Sequence, residues 1–507
     1  MIYEASAHPD RQARQAWWAL ALVGLLAFVN FGIGLGDPSG AIWDEAYYLT
    51  SAERYSHGMA QFASHPPLGL MLIAAGARLD SSNRQLDTRA LGRVKSAEGT
   101  VLPPGFSFVP VRIASGVFAT LGAMLFLGLM YCLTRSTFSA LVFSNLYTFE
   151  NAFVTQFRAA QLDGFQIVFT LSALLFLVKS LQKGHVSARL LDVGLGVSCG
   201  LAMMVKLNSA VLLLLGIMLI VRRTAFYWIR VPSCVPLWPT RYRLLGNAVR
   251  DGACMLGSCL AAMVAVFTVH LLVCSHEVDA GSPAGKRDQL FLSAPYRDYL
   301  EGKRSLTPEV FLSAARDYSR FITADFEGVP HADTNGSTPI EWLRGCGTIN
   351  YRWDSDGIRT AYVQLVGNPV SSLLALAAPC AVFGLLLWPH RSPTRALNPM
   401  RRSLMWMLLI EWLAFMVLHE YLSTLRVMYL YHYFIGLVLA FVMLPLIFEE
   451  AADRWPRFEQ RRDLLLGGLT AALLTGFVFY APLNFHRPLT HNECELRNAL
   501  QHVVNCL

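Results

Sequence analysis

Apolar runs of roughly 20 residues recur along the sequence, the length that a helix needs to cross the ~30 Å hydrocarbon core of a bilayer. This feature constrains the fold more than any other. The chain of 507 residues is 54% hydrophobic and only 15% charged, whereas soluble proteins carry about 25% charged residues. These properties exclude an intrinsically disordered chain, a secreted disulfide scaffold and a cytosolic enzyme. They predict an all-α polytopic membrane protein.

Eleven membrane spans can be identified from the hydropathy pattern. Their approximate limits are 16–36, 110–132, 137–156, 164–182, 192–206, 209–221, 252–274, 369–388, 403–419, 427–448 and 463–482. The fifth and sixth are short and indicate a broken hairpin around Lys206 and Asn208, which a bilayer tolerates only where the backbone lines a protein cavity. The first is too long for a signal peptide and is interpreted as an uncleaved span.

Lysines and arginines in the short loops predict the orientation of these spans. With the N-terminus in the cytoplasm, cationic clusters in 222–250, 391–402 and 454–462 all fall on the inner face, as the positive-inside rule requires. The net charge of +7 is thus distributed by loop. In a nucleic-acid-binding protein it would form one basic face, so no nucleic-acid partner is expected.

The long loops and the tail then lie outside the cytoplasm. We interpret 1–507 as a single membrane domain, with extracytoplasmic loops at 37–109 and 275–368 and an extracytoplasmic tail at 483–507. Both loops are expected to contain interfacial helices, including an amphipathic stretch from Leu68 to Leu79.

Most of the ten cysteines lie in apolar runs, where a thiol behaves as a small hydrophobic group. Cys494 and Cys506 instead stand in the polar tail, and they can pair if that tail faces an oxidising compartment. The sequence leaves the paired and the free states equally open.

Two polar motifs lie in the first long loop. Asp44 and Glu45 follow the first span among aromatic residues, and they fit either a general base or an interfacial turn with Asp44 as a helix N-cap. His65 precedes two prolines at the predicted start of a helix. A helix N-terminus suits anions, although the histidine is equally compatible with a stiff loop-to-helix joint.

Further polar residues lie at the ends of spans. Arg158 and Asp163 fit either a mutual ion pair or, for the arginine, a phosphate contact through its planar fork. Lys206 fits a side chain that snorkels to the interface or a functional charge. Arg426 and the segment containing Tyr431 and His432 fit a lipid-headgroup site, an aromatic belt, or both.

All these groups lie on the predicted outer face, whereas scattered helix caps and snorkelling side chains would divide between both faces. His270 is interpreted as a satisfied core histidine rather than a ligand. The sequence contains no HExxH, DxD, P-loop or GxSxG motif, so zincin, nucleotide-sugar, NTPase and α/β-hydrolase chemistries lack support.

In their order along the chain, these motifs resemble the protein O-mannosyltransferases and the related bacterial phospholipid-carrier-dependent glycosyltransferases. The matching segments are Trp43-Asp44-Glu45, His65-Pro66-Pro67-Leu68-Gly69, Phe157-Arg158 through Asp163, Lys206-Leu207-Asn208, and Met428 through Tyr433. The resemblance implies an eleven-span C-type glycosyltransferase fold, inversion at the sugar, a polyprenyl- or dolichyl-phosphate sugar as donor, and neither a catalytic metal nor a cofactor.

The resemblance also implies roles for individual residues. Asp44 is expected to deprotonate the acceptor hydroxyl, with Glu45 assisting acceptor placement. The expected donor-phosphate and lipid-binding residues are Arg158, Lys206, Arg426, Tyr431 and His432. The residues expected to shape the pocket are His65, Asp163, Asn208 and His270.

Two features depart from the family pattern. Leu70 stands where the motif usually has lysine, so a phosphate contact from that position is absent or is replaced from elsewhere. The second long loop spans only 94 residues (275–368), too few for the extra β-trefoil domain of the eukaryotic members. This favours a bacterial enzyme in the cytoplasmic (inner) membrane, with its site facing outward.

The sequence therefore predicts transfer of mannose or another hexose to an acceptor hydroxyl, foremost a Ser or Thr of a protein. The same chemistry on a lipid or polysaccharide acceptor remains an alternative, as does a transporter of lipid-linked sugars. Membrane lipids are expected partners, and the sequence leaves the oligomeric state open.

Overall fold

The computed structural model describes residues 9–182, 186–230, 237–276, 279–388, 398–498 and 506. Part of the predicted inner cationic cluster, 391–397, and part of the predicted tail, 499–505 and 507, lie outside these residues.

The described chain is mainly helical. The helices of its first half are α1 (Pro9–Gly32), α2 (Glu45–Ser56), α3 (Pro67–Ala77), α4 (Val109–Thr134), α5 (Thr137–Thr148), α6 (Asn151–Arg158), α7 (Asp163–Leu181), α8 (Ala188–Met203), α9 (Leu213–Arg230) and α10 (Leu237–Val273).

The second half contains shorter loop helices, further long helices and three strands. The helices are α11 (Pro283–Gln289), α12 (Ala294–Leu300), α13 (Pro308–Glu327), α14 (Pro339–Leu343), α15 (Pro369–Leu387), α16 (Pro399–Ser423), α17 (Phe434–Arg454), α18 (Pro456–Gln460), α19 (Arg462–Asn484) and α20 (His491–Asn498). The strands are β1 (Ile349–Ser355), β2 (Thr360–Leu365) and β3 (Pro488–Leu489). Short 3-10 helices occupy Arg89–Arg93, Leu207–Leu212 and Leu430–Tyr433.

Within the described residues, nine helical segments are long and apolar enough to cross a membrane. They match nine of the eleven predicted spans, which confirms a multi-pass membrane protein. The predicted span 137–156 instead divides into α5 and α6, because the Glu150 side chain accepts a hydrogen bond from the Ala152 N–H and caps a new helix. The predicted span 192–206 is the 16-residue α8. The count of eleven therefore stays a prediction.

The predicted helix break near Lys206 is present. Helix α8 ends at Met203, Lys206 is extended with φ −145° and ψ 132°, and a 3-10 helix precedes α9. Small residues hold α8 in place: a Cβ on Gly196 or Gly200 would lie 2.1 or 2.5 Å from a backbone carbonyl oxygen of α10. Such close approach is typical of small residues between packed membrane helices.

The prediction of an amphipathic interfacial helix near Leu68 is wrong in its placement. The helix exists as α3, but it is apolar throughout and packs against α2 and α4. Leu70 and Ile73 are fully buried. Because apolar side chains cover all its faces, α3 belongs to the protein interior. By contrast, α13 in the second loop is amphipathic and buries Val310, Ala314 and Phe321.

The predicted helical fold class is confirmed, and a small antiparallel sheet of β1, β2 and β3, in that order, is added to it. The β1–β2 hairpin belongs to the second long loop, and β3 joins it from the tail. Cys494 and Cys506 of the tail form a disulfide, so the paired state that the sequence left open is the one present. The sheet thus connects the two extramembrane parts of the second half of the chain.

Two glycine-to-alanine substitutions in α4 can test the packing of α1 against α4. A Cβ on Gly116 would lie 2.7 Å from the Phe31 carbonyl oxygen of α1, so Gly116→Ala is expected to separate the helices at a cost of about 1–3 kcal/mol. Thermal unfolding in detergent measures this loss. The matched control in the same helix is Gly128→Ala, whose Cβ would meet no described atom within 4 Å and is expected to leave the midpoint unchanged. Equal midpoints for the two variants would contradict the packing.

Candidate active site

Asp44 stands at the N-cap position of α2, yet its side chain makes no capping hydrogen bond. No hydrogen bond or ion pair within the described ranges engages its carboxylate, although the residue as a whole is partly exposed. The preceding Trp43 has φ 53°, a backbone region that L-residues with side chains rarely adopt and that occurs often at functional sites. The capping interpretation therefore fails, and the carboxylate is free to react.

The electrostatic surroundings of Asp44 suit a general base. Burial raises the pKa of this carboxyl to about 6, with a further increase from Asp163, while Lys206 and Arg426 act in the opposite direction. A general base works best when its pKa lies near the operating pH. Lys206 and Arg426 both lie within electrostatic range of Asp44.

Lys206 reaches this site from the break between α8 and the following 3-10 helix. Its Nζ donates to Asp163 Oδ1 at 2.7 Å and lies 5.0 Å from the centre of the Tyr431 ring. The side chain is buried, so the snorkelling interpretation is wrong. A lysine ammonium has three donors, and those that Asp163 does not use remain for a ligand.

Arg426 supplies a second cation. Its guanidinium lies 5.2 Å above the Phe326 ring of α13, so the second long loop supports it. Burial, Lys206 and Arg426 together hold the pKa of His65 well below its usual value. His65 is therefore a neutral side chain close to the two cations. His432 also lies within electrostatic range of both cations.

Aromatic rings line the site beside Asp44. The Trp43 ring stacks on Tyr351 at a centroid distance of 5.2 Å and meets Tyr429 edge-on at 5.5 Å. Tyr431 and His432 continue the series, with ring centroids 4.6 Å apart. These rings hold the backbone around Asp44 and form an apolar wall close to the charged groups.

Asn208 lies just after Lys206 in a polar cluster. Its Oδ1 accepts a hydrogen bond from Gln166 Nε2 at 2.6 Å, and its Nδ2 lies 3.4 Å from His419 Nε2. Asn208 thus fixes the 3-10 helix against α7 and α16.

The expected role of Glu45 in acceptor placement does not fit its position. Glu45 is fully buried and forms a bidentate pair with Arg112, at 2.8 Å from Nε and 2.7 Å from Nη2. Its oxygens also accept the Ala160 N–H at 2.8 Å and the Ile42 N–H at 2.9 Å. Because these groups occupy both oxygens, Glu45 holds the loop and does not contact an acceptor.

Arg158 is likewise placed differently from the expectation of a phosphate contact. Its guanidinium donates to the carbonyl oxygens of Asn30, Ile33 and Gly34 at 2.9, 2.7 and 3.1 Å, and it lies 4.7 Å from the Phe485 ring centre. These bonds satisfy carbonyls at the C-terminal end of α1. The alternative ion pair with Asp163 is also wrong, because Asp163 pairs with Lys206.

His270 belongs to a separate cluster and not to the pocket around Asp44. It is fully buried, its Nδ1 lies 2.8 Å from the Tyr55 hydroxyl, and its ring meets Tyr318 edge-on at 5.5 Å. His270 is thus a core histidine, but it is only partly satisfied, because its buried Nε2 has no hydrogen-bond partner among the described residues. The expected role of His270 in shaping the pocket does not fit this position.

The sequence reasoning missed Arg112, Gln156 and Tyr351. Arg112 offered a usable signal, because a charged residue at the start of an apolar span is a functional candidate by default. Gln156 and Tyr351 offered none, since their importance depends on contacts between distant segments. Leu70, which stands where the family motif usually has lysine, is fully buried. The cations near Asp44 are instead Lys206 and Arg426.

Comparison with known protein families and relatives shows which family the chain belongs to. Residues 21–275 match the family described as dolichyl-phosphate-mannose-protein mannosyltransferase, and residues 321–503 match the C-terminal four-transmembrane region of protein O-mannosyltransferases. The chain belongs to the protein O-mannosyltransferase family. It is 27% identical over 174 residues to dolichyl-phosphate-mannose–protein mannosyltransferase 3 of Saccharomyces cerevisiae. That match covers 33% of this chain and only 22% of the yeast protein.

Structural comparison confirms the C-type glycosyltransferase fold predicted from the motifs. A chain of the S. cerevisiae protein O-mannosyltransferase Pmt1–Pmt2 complex bound to the sugar donor superposes with a TM-score of 0.77 and 14% identity, over 97% of this chain and 93% of that one. The archaeal oligosaccharyltransferase AglB from Archaeoglobus fulgidus gives a TM-score of 0.46 and 11% identity, over 93% and 56% of the two chains.

The two adjacent carboxylates of this family member should differ in their effects on stability. Glu45→Gln leaves Arg112 as a buried charge without its counter-ion, and removing one partner of such a pair lowers the free energy of unfolding by about 3–5 kcal/mol. Asp44→Asn removes an unpaired carboxylate whose charged form is disfavoured by burial, so this substitution is expected not to lower the stability. Thermal unfolding of both variants in detergent measures the difference. Equal destabilisation by the two substitutions would contradict these assignments.

Proposed function

We propose that this protein transfers mannose from a dolichyl- or other polyprenyl-phosphate carrier to a serine or threonine hydroxyl of a protein. The observation that carries the proposal is the free carboxylate of Asp44, which lies within electrostatic range of the cations Lys206 and Arg426. The family description supports the sugar, the phosphate carrier and the protein acceptor.

The two cations fit a leaving group that is a lipid phosphate. As the bond between the sugar and the phosphate breaks, negative charge grows on the phosphate, and fixed cations stabilise that charge without reorganisation. Lys206 is held by Asp163, and Arg426 is supported by Phe326. Asp44 takes the proton of the attacking hydroxyl.

The carboxylates support a single displacement with inversion at the sugar. A retaining mechanism needs a nucleophilic carboxylate and a separate acid/base group about 5 Å apart. Glu45 is engaged by Arg112, and Asp163 by Gln156 and Lys206. Asp44 thus fits the role of a base acting alone.

We infer that the site faces the extracytoplasmic side of a bacterial inner membrane. Its side chains come from segments that the distribution of lysine and arginine assigns to the outer face. The second long loop is occupied in its described part by α11–α14 and the β1–β2 hairpin, which supports a compact bacterial enzyme.

Transfer of labelled sugar tests the proposal. The purified protein is incubated with radiolabelled dolichyl-phosphate mannose, with other polyprenyl-phosphate sugars in parallel, and with a membrane extract as the acceptor source. We expect label from the mannose donor in protein, and NMR of the product should show the anomer opposite to that of the donor. Label in lipid or polysaccharide would refute the protein acceptor, and retention of configuration would refute the single displacement.

The pKa of Asp44 predicts the pH dependence. The base must be deprotonated, so kcat/KM should fall as the pH drops below about 6 and level off above it, because kcat/KM reports groups of the free enzyme. Asp44→Asn should bind dolichyl phosphate normally but lose about 10²–10⁴-fold in turnover, without an acid limb. A transporter would instead retain substantial flux in this variant, and that result would overturn the assignment.

A further inference from the structure

The β1–β2 hairpin contains a bulge beside the active site. Asn350 pairs with Gln364 and Arg352 pairs with Val363, so Tyr351 is the extra residue between them. A bulge changes the direction in which a side chain points and often occurs next to active sites. Here it accompanies a Tyr351 side chain that is buried against the membrane helices.

Tyr351 begins a chain of hydrogen bonds that ends at Lys206. Its hydroxyl donates to Gln156 Oε1 at 2.5 Å. Gln156 Nε2 donates to Asp163 Oδ2 at 2.7 Å, and Lys206 Nζ donates to Asp163 Oδ1 at 2.7 Å. All four residues are buried. Because these polar groups are buried, each one takes the orientation that its hydrogen-bond partner in the protein requires.

The Tyr351 ring also contacts the other half of the site. It stacks on Trp43, the residue immediately before Asp44. Tyr351 of the second long loop therefore contacts the segment that contains Asp44. Through two hydrogen bonds it is also linked to Asp163, the carboxylate that pairs with Lys206.

We propose that Tyr351 is a positioning residue that, through Gln156 and Asp163, holds Lys206 toward the donor phosphate. This inference rests on the proposed function. The hydroxyl satisfies Gln156 Oε1, which forces Gln156 Nε2 toward Asp163. Without that hydroxyl, the buried amide oxygen lacks a donor, and Gln156 is no longer fixed in the orientation that donates to Asp163. Asp163 then loses one of its two restraints, and Lys206 is held less firmly, while the Asp44 carboxylate keeps its place.

The test uses the full-length protein with dolichyl-phosphate mannose as donor. Tyr351→Phe keeps the ring and its stacking on Trp43 but removes the hydroxyl. We expect the KM for the donor to rise about tenfold, which corresponds to about 1.4 kcal/mol of lost donor binding. The kcat should fall as well, because a less firmly held Lys206 stabilises the growing charge on the phosphate less well, whereas the KM for the acceptor should stay close to that of the wild type. The matched control is Tyr299→Phe, which removes a hydroxyl that donates to the Leu271 carbonyl oxygen at 2.9 Å in the same loop.

A double-mutant cycle tests the link through Gln156. Gln156→Leu should also raise the donor KM, and adding Tyr351→Phe should raise it no further, because both changes interrupt the same chain. The effects of Gln156→Leu and Tyr299→Phe should be independent. Additive effects of Gln156→Leu and Tyr351→Phe, or a wild-type donor KM in Tyr351→Phe, would overturn the inference.

A lowered thermal midpoint with an unchanged donor KM would likewise show a purely structural tyrosine and overturn it. The proposed function fails separately, if the wild-type protein transfers no mannose from this donor.

Discussion

The candidate active site depends on one buried ion pair, between Glu45 and Arg112. Besides Glu45, the arginine binds the carbonyl oxygens of Leu35, Pro38 and Gly40 at 2.7–2.9 Å. Burying two charges is costly unless their other hydrogen bonds are also satisfied, and here backbone groups satisfy them. The connection from α1 to α2 is thereby tied to α4, and Asp44 is placed as part of that connection.

Asp44 and Glu45 are adjacent carboxylates, yet their positions at the start of α2 give them different roles. Successive residues at the start of a helix point about 100° apart, so Glu45 faces Arg112, while Asp44 points away from this pair and lies within electrostatic range of Lys206 and Arg426. The surroundings of the two carboxylates also differ. Glu45 accepts four hydrogen bonds. Asp44 has no partner within the described chain, and burial raises its pKa to about 6. A structural carboxylate and a proposed catalytic base thus stand side by side.

The cations that face Asp44 come from distant parts of the chain. Lys206 enters where the helix is interrupted, and such an interruption is tolerated at membrane depth only inside protein. Arg426 precedes α17, whose membrane segment is 83% buried and forms the centre of the bundle. Interior helices thus position the charges, and the outer loops, through Phe326 and Tyr351, support them.

The sequence by itself determined the membrane spans, the long loops, the helix break at Lys206 and the order of the polar motifs, because hydropathy, charge distribution and short motifs are local properties. It could not determine which cation faces Asp44. Arg158 was a reasonable candidate from its motif, but tertiary contacts assign it to the end of α1, and Arg112 pairs with Glu45 across 67 positions. The burial of α3 and the sheet joining β3 to the hairpin depend in the same way on packing between distant segments. Only the folded chain decides such partners, since a side chain's neighbours in space are not its neighbours in sequence.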